Sequence, residues 1–345
     1  MIAVLAAGLA VGFGVTDLRQ EGENQLQKNT SEQTGVYTDP EISGWVAWWK
    51  EAEAYELVAS NSAKIRTISP VWWQVSSDML LEKIGKSDRA AVTAEMRAVG
   101  VKIYPTLGSE LTGKKLSPLF DPGDRADQII AAVTAEAAEL KVDGLDVDLE
   151  GIEAEDRERF TDFLIRLKSV MQAAGLKLSV TIQAQDGKNF WFGAAGQDIA
   201  KIAEIADEVR IMAYDRHSKS SGPGPVAPAD WIADVAEYNL KLIPREKIVM
   251  GIPSYGYIWP KTGTAEGLQW DEFWKRIEGK NYSSQRDTQS GELYFSGEDF
   301  SGWLCDAAAM KTKIDLYRKK GLNRFVIWHL GGLDAEIFDT VWRKN

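Results

Sequence analysis

The chain alternates short apolar runs with longer segments in which apolar residues recur at every third or fourth position. The short runs are typical of buried strands, and the longer spacing is typical of amphipathic helices. From residue 42 onward the two kinds of segment follow one another, which indicates parallel strands joined by helices. Eight strands are predicted, at residues 44–49, 66–73, 101–106, 142–150, 177–183, 208–214, 248–254 and 323–328. Helices are predicted between them, among others at residues 90–99, 125–140, 157–174 and 229–240.

The number and order of these elements predict an α/β fold, a (β/α)8 TIM barrel over residues 41–345. Only the seventh connection is long, and we expect residues from about 256 to 300 to form a small α+β insertion over the barrel mouth. The carboxyl ends of the strands meet at one face of such a barrel, where the catalytic residues of barrel enzymes lie. Polar residues at these strand ends are therefore the first candidates for a functional site.

The first forty residues differ in composition from the rest. Residues 1–15 are almost wholly apolar, without Lys or Arg before them or a clear cleavage site behind them. The run is shorter than the roughly 18 to 20 residues that span a bilayer, which leaves an export signal, a short anchor or a buried helix. Residues 16–40 are polar without periodicity, which predicts a disordered tether. We favour export to the cell envelope or beyond, with membrane attachment through residues 1–15 as an option.

Charge and composition exclude several classes of function. The net charge of −11, without a dense patch of Lys and Arg, argues against a nucleic-acid partner. One cysteine, Cys305, excludes an internal disulfide, and two histidines, His217 and His329, are too few and too dispersed for the usual zinc sites. The 13 tryptophans suit a protein that binds flat sugar rings. We expect a monomer that binds a glycan and needs neither a cofactor nor a metal.

The most unusual segment is the octet DGLDVDLE at residues 143–150, in which acidic and aliphatic residues alternate. On a strand, Asp146, Asp148 and Glu150 share one face, whereas Asp143 points the other way. Three stacked carboxylates are costly inside a fold unless protonation, hydrogen bonds or a cation relieve their repulsion, so such clusters are typical of functional sites. Because two buried acids without nearby cations are poor scaffolding, we interpret Asp148 and Glu150 as catalytic. For Asp143 a structural role stays open.

The octet resembles the DGxDxDxE signature of glycoside hydrolase family 18. Three further segments resemble motifs of the same family: IMAYD at 211–215 its MxYD, GIPSYG at 251–256 its GxPxYG, and IWHLG at 327–331 its Trp-containing eighth strand. They occur in the order that the family has, over roughly residues 44–341. Residues 214–228 further resemble the spore-germination branch, which acts on peptidoglycan.

The resemblance implies a retaining hydrolase that cleaves β-1,4 bonds next to N-acetylglucosamine, with the acetamido oxygen of the substrate as nucleophile. It assigns the general acid, and later the base, to Glu150. Asp148 would orient the acetamide, and Asp146 would support Asp148 from one pleat deeper by sharing a proton. The hydroxyl of Tyr214 would hydrogen-bond the acetamide oxygen.

Four further residues are candidates for binding the substrate. Trp328 would provide the apolar floor of the subsite for the N-acetylated sugar, and Asp215 would bind a sugar hydroxyl. Met212 and Gln183 lie inward at strand ends, where a binding role and a packing role are both open. Other aromatic residues near strand ends are candidate glycan platforms or core residues: Trp48, Trp49, Trp72, Trp73, Tyr104, Trp191, Tyr255 and Trp259.

Two other functions fit parts of the pattern. One is a lectin-like barrel that binds N-acetylglucosamine glycans without cleaving them, against which the intact Glu150 argues. The other is a magnesium enzyme with Asp146, Asp148 and Glu150 as ligands, although such ligands normally come from different strands. The third strand ends in TLGS at 106–109 instead of the family's Ser-x-Gly-Gly, which puts polymeric chitin in doubt. Peptidoglycan, chitin oligomers and N-linked glycans remain open as substrates, as do internal and terminal cutting.

Overall fold

The computed structural model describes residues 39–341 except 122, 190 and 191. The predicted apolar segment at 1–15 and nearly all of the predicted tether at 16–40 therefore lie outside the described residues. No helix within the described ranges is long and apolar enough to cross a bilayer.

The strands and helices alternate over most of the chain. In chain order the strands are β1 (Glu41–Val46), β2 (Ile65–Val75), β3 (Leu81–Lys83), β4 (Lys102–Ile103), β5 (Thr106–Ser109), β6 (Gly144–Val147), β7 (Lys177–Gln183), β8 (Glu208–Met212), β9 (Ile248–Pro253), β10 (Tyr255–Pro260), β11 (Glu266–Gln269), β12 (Tyr282–Arg286), β13 (Leu293–Gly297), β14 (Phe300–Leu304) and β15 (Arg324–Trp328). The helices are α1 (Glu51–Ser60), α2 (Arg89–Ala98), α3 (Arg125–Leu140), α4 (Arg157–Ala173), α5 (Ile199–Ile205), α6 (Ala229–Asn239), α7 (Trp270–Ile277), α8 (Ala307–Lys319) and α9 (Ile337–Thr340).

Parallel strands close into a barrel, which confirms the predicted fold. The order around it is β1, β2, β4 with β5, β6, β7, β8, β9 and β15, and β1 pairs with both β2 and β15. The third barrel strand is split into β4 and β5 around Pro105, since proline has no N–H to donate to a ladder. Its carbonyl still accepts a hydrogen bond from the backbone N–H of Asp146 at 3.0 Å.

The elements form where the apolar pattern predicts them. Strand β9, with the sequence IVMGIP, is buried throughout, as expected for a parallel strand covered on both faces. Helix α3 has the predicted bounds, and Lys141 ends it in a left-handed conformation at φ +55°. Helix α2 begins after Asp88, whose carboxylate accepts the N–H groups of Ala90 and Ala91 at 3.1 Å.

Several predicted strands are too long at their carboxyl ends. The structure ends β1 at Val46, β6 at Val147 and β8 at Met212, whereas the predictions extend to residues 49, 150 and 214. At the barrel mouth the chain leaves the ladder: the N–H of Asp148 still donates to the carbonyl of Leu107 at 3.0 Å, but Gly151 turns away at φ +67°. The acids at 148 and 150 therefore lie on the segment that follows the strand.

An insertion of mixed helix and strand follows β9. Strands β10 to β14 form an antiparallel sheet in the order β11, β10, β14, β13, β12, and α7 packs on it. The insertion has a small core of its own, formed by Ile258, Phe273, Ile277, Phe295, Phe300 and Leu304. Ser254 ties its base to the barrel, because its hydroxyl donates to the carbonyls of Trp328 at 2.9 Å and His329 at 2.8 Å.

Candidate active site

The structure brings nearly all of the predicted site residues together at the carboxyl end of the barrel. A cavity of about 150 Å³ is lined by Asp148, Glu150, Gln183, Met212, Tyr214, Asp215 and Trp328. These residues come from four barrel strands or the segments that follow them. The sequence therefore predicted the residues that line this cavity.

Asp146 lies below the cavity and is fully buried. Its carboxylate accepts hydrogen bonds from Trp45 Nε1 at 2.9 Å, Thr106 Oγ1 at 3.1 Å and Thr181 Oγ1 at 3.1 Å. The guanidinium of Arg210 lies 3.4 Å from Asp146 Oδ2. The charge of Arg210 also acts on the carboxyl of Asp148, so the interpretation that Asp148 and Glu150 have no nearby cation is wrong for Asp148. The expected shared proton finds no support either, since no hydrogen bond joins Asp146 to Asp148 within the described part of the chain.

Arg210 is the principal residue that the sequence analysis missed. It is fully buried on β8 and donates to Glu208 Oε1 through Nε at 3.1 Å and Nη2 at 2.9 Å, and to Ser69 Oγ at 2.5 Å. Burial opposes its charge, but Asp146 and Glu208 outweigh burial and raise the pKa of the guanidinium. Strand parity could have found it, because Glu208, Arg210 and Met212 alternate on the face that Tyr214 also occupies.

Asp148 is half-buried, and its Oδ1 is shielded from water without a hydrogen-bond partner among the described residues. Desolvation raises the pKa of this carboxyl well above its usual value, and the neighbouring charges of Glu150 and Asp146 raise it further. The protonated form of Asp148 is therefore favoured, and Asp148 lines the cavity that a substrate would fill.

Glu150 is exposed at the mouth, although its carboxyl lies between the walls of the cleft. Gln183 Nε2 donates to Glu150 Oε2 at 2.5 Å, which fixes the orientation of the carboxyl. Desolvation raises the pKa of Glu150, and Asp215 adds to the rise, while the bond from Gln183 opposes it. An acid of this kind can hold a proton nearer to neutral pH than a free glutamate, as a general acid must.

Tyr214 and Asp215 form the next part of the wall. Burial, and then the charge of Asp148, raise the pKa of Tyr214 well above its usual value, so its hydroxyl remains a donor. Asp215 has a left-handed backbone, φ +61°, and its Oδ1 accepts hydrogen bonds from the hydroxyls of Tyr255 at 2.5 Å and Tyr257 at 2.9 Å. The insertion thus orients Asp215 through two tyrosines, of which the sequence analysis named only Tyr255, as a candidate platform.

Fewer aromatic side chains are exposed near the cavity than the 13 tryptophans of the chain suggest. Trp328 packs edge-on against Trp45, with centroids 5.8 Å apart, and against Trp49 at 6.4 Å. Of the candidate platforms, Trp48 and Trp49 are 49% and 53% exposed. The others within the described ranges are buried and present no exposed ring to a glycan: Trp72, Trp73, Tyr104, Tyr255 and Trp259. Trp191 lies outside the described residues.

Asp143 has structural surroundings. The carboxylate of Asp143 accepts the backbone N–H of Ile103 at 3.0 Å, which joins the start of β6 to β4. The magnesium alternative fits poorly, because both oxygens of Asp146 already accept donors and leave little lone-pair density for a cation. No group of three or more His, Cys, Asp or Glu within the described ranges is placed to hold a metal ion.

The (β/α)8 fold, with the carboxyls of Asp148, Glu150 and Asp215, all of raised pKa, beside Trp328 at the barrel mouth, is typical of barrel enzymes that act on glycosidic bonds. The family model described as "Glycosyl hydrolases family 18" matches residues 74–332, more than half of the chain. The chain therefore belongs to glycoside hydrolase family 18, and the protein is a glycosidase. This confirms the resemblance seen in the octet and the three further motifs.

Several similar proteins come from species of Bacillus. The uncharacterized glycosylase YvbX of Bacillus subtilis (strain 168) is 28% identical over 246 residues, which cover 66% of this chain and 70% of that protein. The putative sporulation-specific glycosylase YdhD of the same organism is 31% identical over 197 residues, 54% of this chain and 46% of that protein. The chain thus spans less than half of YdhD. The crystal structure of the Bacillus megaterium QM B1551 spore cortex-lytic enzyme SleL shares the fold, with a TM-score of 0.78, 20% identity and coverage of 89% of this chain and 74% of that one.

Proposed function

We propose that the protein is a retaining hydrolase that cleaves β-1,4 bonds next to N-acetylglucosamine by substrate-assisted catalysis, with Glu150 as general acid and then base. The observation that carries this proposal is the pair Asp148 and Glu150. Both carboxyls line one cavity, both have raised pKa values, and an oxygen of Asp148 has no partner among the described residues. A substrate acetamide would supply the missing partner.

The first step is cleavage of the glycosidic bond. Glu150 gives its proton to the glycosidic oxygen while the C1–O bond breaks, and the acetamido oxygen of the same sugar forms a new bond to C1. Asp148 accepts the acetamide N–H and stabilises the positive charge of the oxazolinium ion that results. The hydroxyl of Tyr214 holds the acetamide oxygen in line with C1.

The second step is hydrolysis of that intermediate. The Glu150 carboxylate takes a proton from a water molecule, whose oxygen attacks C1. The bond between C1 and the acetamido oxygen breaks, which opens the oxazolinium ring. The sugar leaves with the configuration it had in the substrate, because C1 has been displaced twice. Trp328 would support the sugar ring in both steps through its apolar face, and Asp215 would bind a hydroxyl of the sugar.

Among the glycans that fit this chemistry we propose peptidoglycan as the substrate. The names of two similar proteins, a sporulation-specific glycosylase and a spore cortex-lytic enzyme, support this choice. A location in or outside the cell envelope would be consistent with it, and the apolar composition of residues 1–15 supports export. Mass spectrometry of the products from peptidoglycan and from chitin oligomers tests the substrate. Release of products from chitin oligomers alone would contradict peptidoglycan.

The test of the reaction compares Glu150→Gln with Glu155→Gln, which makes the same chemical change at an exposed position five residues further along. On N-acetylglucosamine oligomers, Glu150→Gln should lower kcat by about 10²–10⁴-fold and still bind the oligomer, whereas Glu155→Gln should behave like the wild type. Substrates without the 2-acetamido group should not be cleaved by either protein. Turnover by Glu150→Gln at the wild-type rate, or equal cleavage of plain glucosides, would refute the proposal.

A further inference from the structure

Four side chains of alternating charge cross the barrel interior and end below the catalytic pair. We call Arg324, Glu208, Arg210 and Asp146 the charge ladder. Arg324 Nη2 lies 2.5 Å from Glu208 Oε2, Arg210 Nη2 lies 2.9 Å from Glu208 Oε1, and Arg210 Nη1 lies 3.4 Å from Asp146 Oδ2. Arg210 and Asp146 are both fully buried. A buried ion pair is costly to form, so its placement directly beneath the catalytic pair calls for a functional explanation.

The upper end of the ladder is fully partnered. Asp146 Oδ2 accepts hydrogen bonds from Trp45 and Thr106 and faces Arg210, while Oδ1 accepts a hydrogen bond from Thr181. These four contacts hold the Asp146 carboxyl in place beneath Asp148.

The protonation of Asp148 therefore depends on the neighbouring charges and not on a proton shared with Asp146. The carboxylate of Asp146 is one of the anions that keep a proton on Asp148, whereas the guanidinium of Arg210 limits their effect. Because Asp148 is not tied to Asp146 by a hydrogen bond, it can turn toward Glu150 or a substrate without breaking one.

We propose that Arg210 is a positioning residue that, together with Asp146, fixes the protonation of the Asp148–Glu150 pair from below, and thereby the pH range of catalysis. This inference rests on the proposed function. Arg210 itself lies below the substrate and does not line the cavity.

Few ionisable groups face the pair. Asp148 faces Asp146 and Glu150 on its own segment and Arg210 and Tyr214 from β8 and the segment after it. Glu150 also faces Asp215, which lies near Lys219. Tyr104, whose pKa burial raises to about 12, faces Arg210 and stays neutral. Among the described groups that face Asp148, Arg210 is the only cation, so removing its charge should have an identifiable effect.

The test is the pH profile of kcat/KM on N-acetylglucosamine oligomers for Arg210→Met. Loss of a buried positive charge favours the protonated forms of Asp148 and Glu150, so both limbs of the profile should move to higher pH, by at least about 0.5 pH unit. KM should change little, since Arg210 does not line the cavity, and kcat should fall. Arg210→Lys retains the charge and should restore the wild-type position of the limbs.

A second variant tests the opposite sign. Glu208→Gln removes the anion that balances Arg210 and keeps a hydrogen-bonding side chain of the same shape, so the limbs should move to lower pH. This variant decides the question if Arg210→Met does not fold.

The control removes an equally buried cation elsewhere. Lys313 is paired with Glu292 at 2.9 Å outside the catalytic cavity, so Lys313→Met should lower stability without moving either limb. Limbs that stay at the wild-type position in both ladder variants, or that move equally in Lys313→Met, would overturn the inference. If Glu150→Gln remained active, the proposed function itself would fail. If Glu150→Gln is inactive and the limbs do not move, only the role of Arg210 fails.

Discussion

The lower and upper parts of the acidic face differ in how completely their polar groups are partnered. Asp146, in the lower part, accepts three hydrogen bonds and faces a guanidinium. Asp148, two residues further along, has a shielded oxygen without a partner among the described residues and a strongly raised pKa. Buried polar groups are normally satisfied, so an exception marks a position kept for something other than stability. The lower part is therefore built for stability, and the upper part holds the groups for which we propose a catalytic role.

The largest expected effect is a loss of stability when Asp146, in the lower part, is removed. Asp146→Ala leaves Arg210 buried with one anion fewer, and should lower the free energy of unfolding by about 3–5 kcal/mol. Urea denaturation measures this loss. Asp143→Ala, which removes one hydrogen bond to the backbone of Ile103, serves as the control and should cost only about 1 kcal/mol. Equal losses of unfolding free energy in the two variants would show that the contacts of Asp146 stabilise the protein no more than an ordinary strand contact does.

The next effect concerns the upper part alone. Tyr214→Phe removes a hydroxyl that we place on the acetamide oxygen, and should lower kcat by about 10²–10³-fold with little change in the unfolding transition. Tyr282→Phe, on the exposed strand β12 of the insertion, is the matched control and should leave kcat unchanged. A large loss of stability in Tyr214→Phe would place Tyr214 in the lower, structural part instead.

The smallest effect concerns the outer rim. Trp49 is half exposed beside Trp328, and a sugar stacked on it would gain about 0.5–1.5 kcal/mol. Trp49→Ala should therefore raise KM for long oligomers about 2- to 10-fold with kcat unchanged. Trp49→Phe should restore part of the affinity. An unchanged KM in Trp49→Ala would limit the binding wall to Trp328 and the residues of the cavity.

Much of this architecture could be predicted from the sequence, because burial on parallel strands and amphipathic helices leaves a periodic pattern. Helix α3 was predicted with its observed bounds, and the alternation in the octet separated Asp143 from the three inward acids. The predicted ends of strands were less accurate, as for β6. The backbone hydrogen bonds between strands end at the barrel mouth, whereas the alternation of acidic and aliphatic residues continues.

The partners of the acids could not be predicted in the same way. Trp45, Thr106, Thr181 and Arg210 reach Asp146 from four other barrel strands, and no spacing along the chain relates them. Tyr255 was considered as a platform because it is aromatic. Its hydroxyl instead orients Asp215, whose left-handed backbone could not be read from its sequence position.

The most direct test of the two-part account is the free energy of unfolding of the wild type and Asp148→Asn as a function of pH, from urea titrations. The folded wild type keeps a proton on Asp148 that the unfolded chain loses above pH of about 3.9. Because the folded pKa is raised, the free energy of unfolding decreases as the pH rises from that value toward the folded pKa. Asn cannot titrate.

The account predicts that Asp148→Asn shows a smaller decline in stability with rising pH and is at least as stable as the wild type at neutral pH. Its kcat should nevertheless fall by about 10²–10³-fold. A variant that is less stable than the wild type at neutral pH, with the same pH dependence, would show that Asp148 belongs to the scaffold and would contradict the division between the two parts.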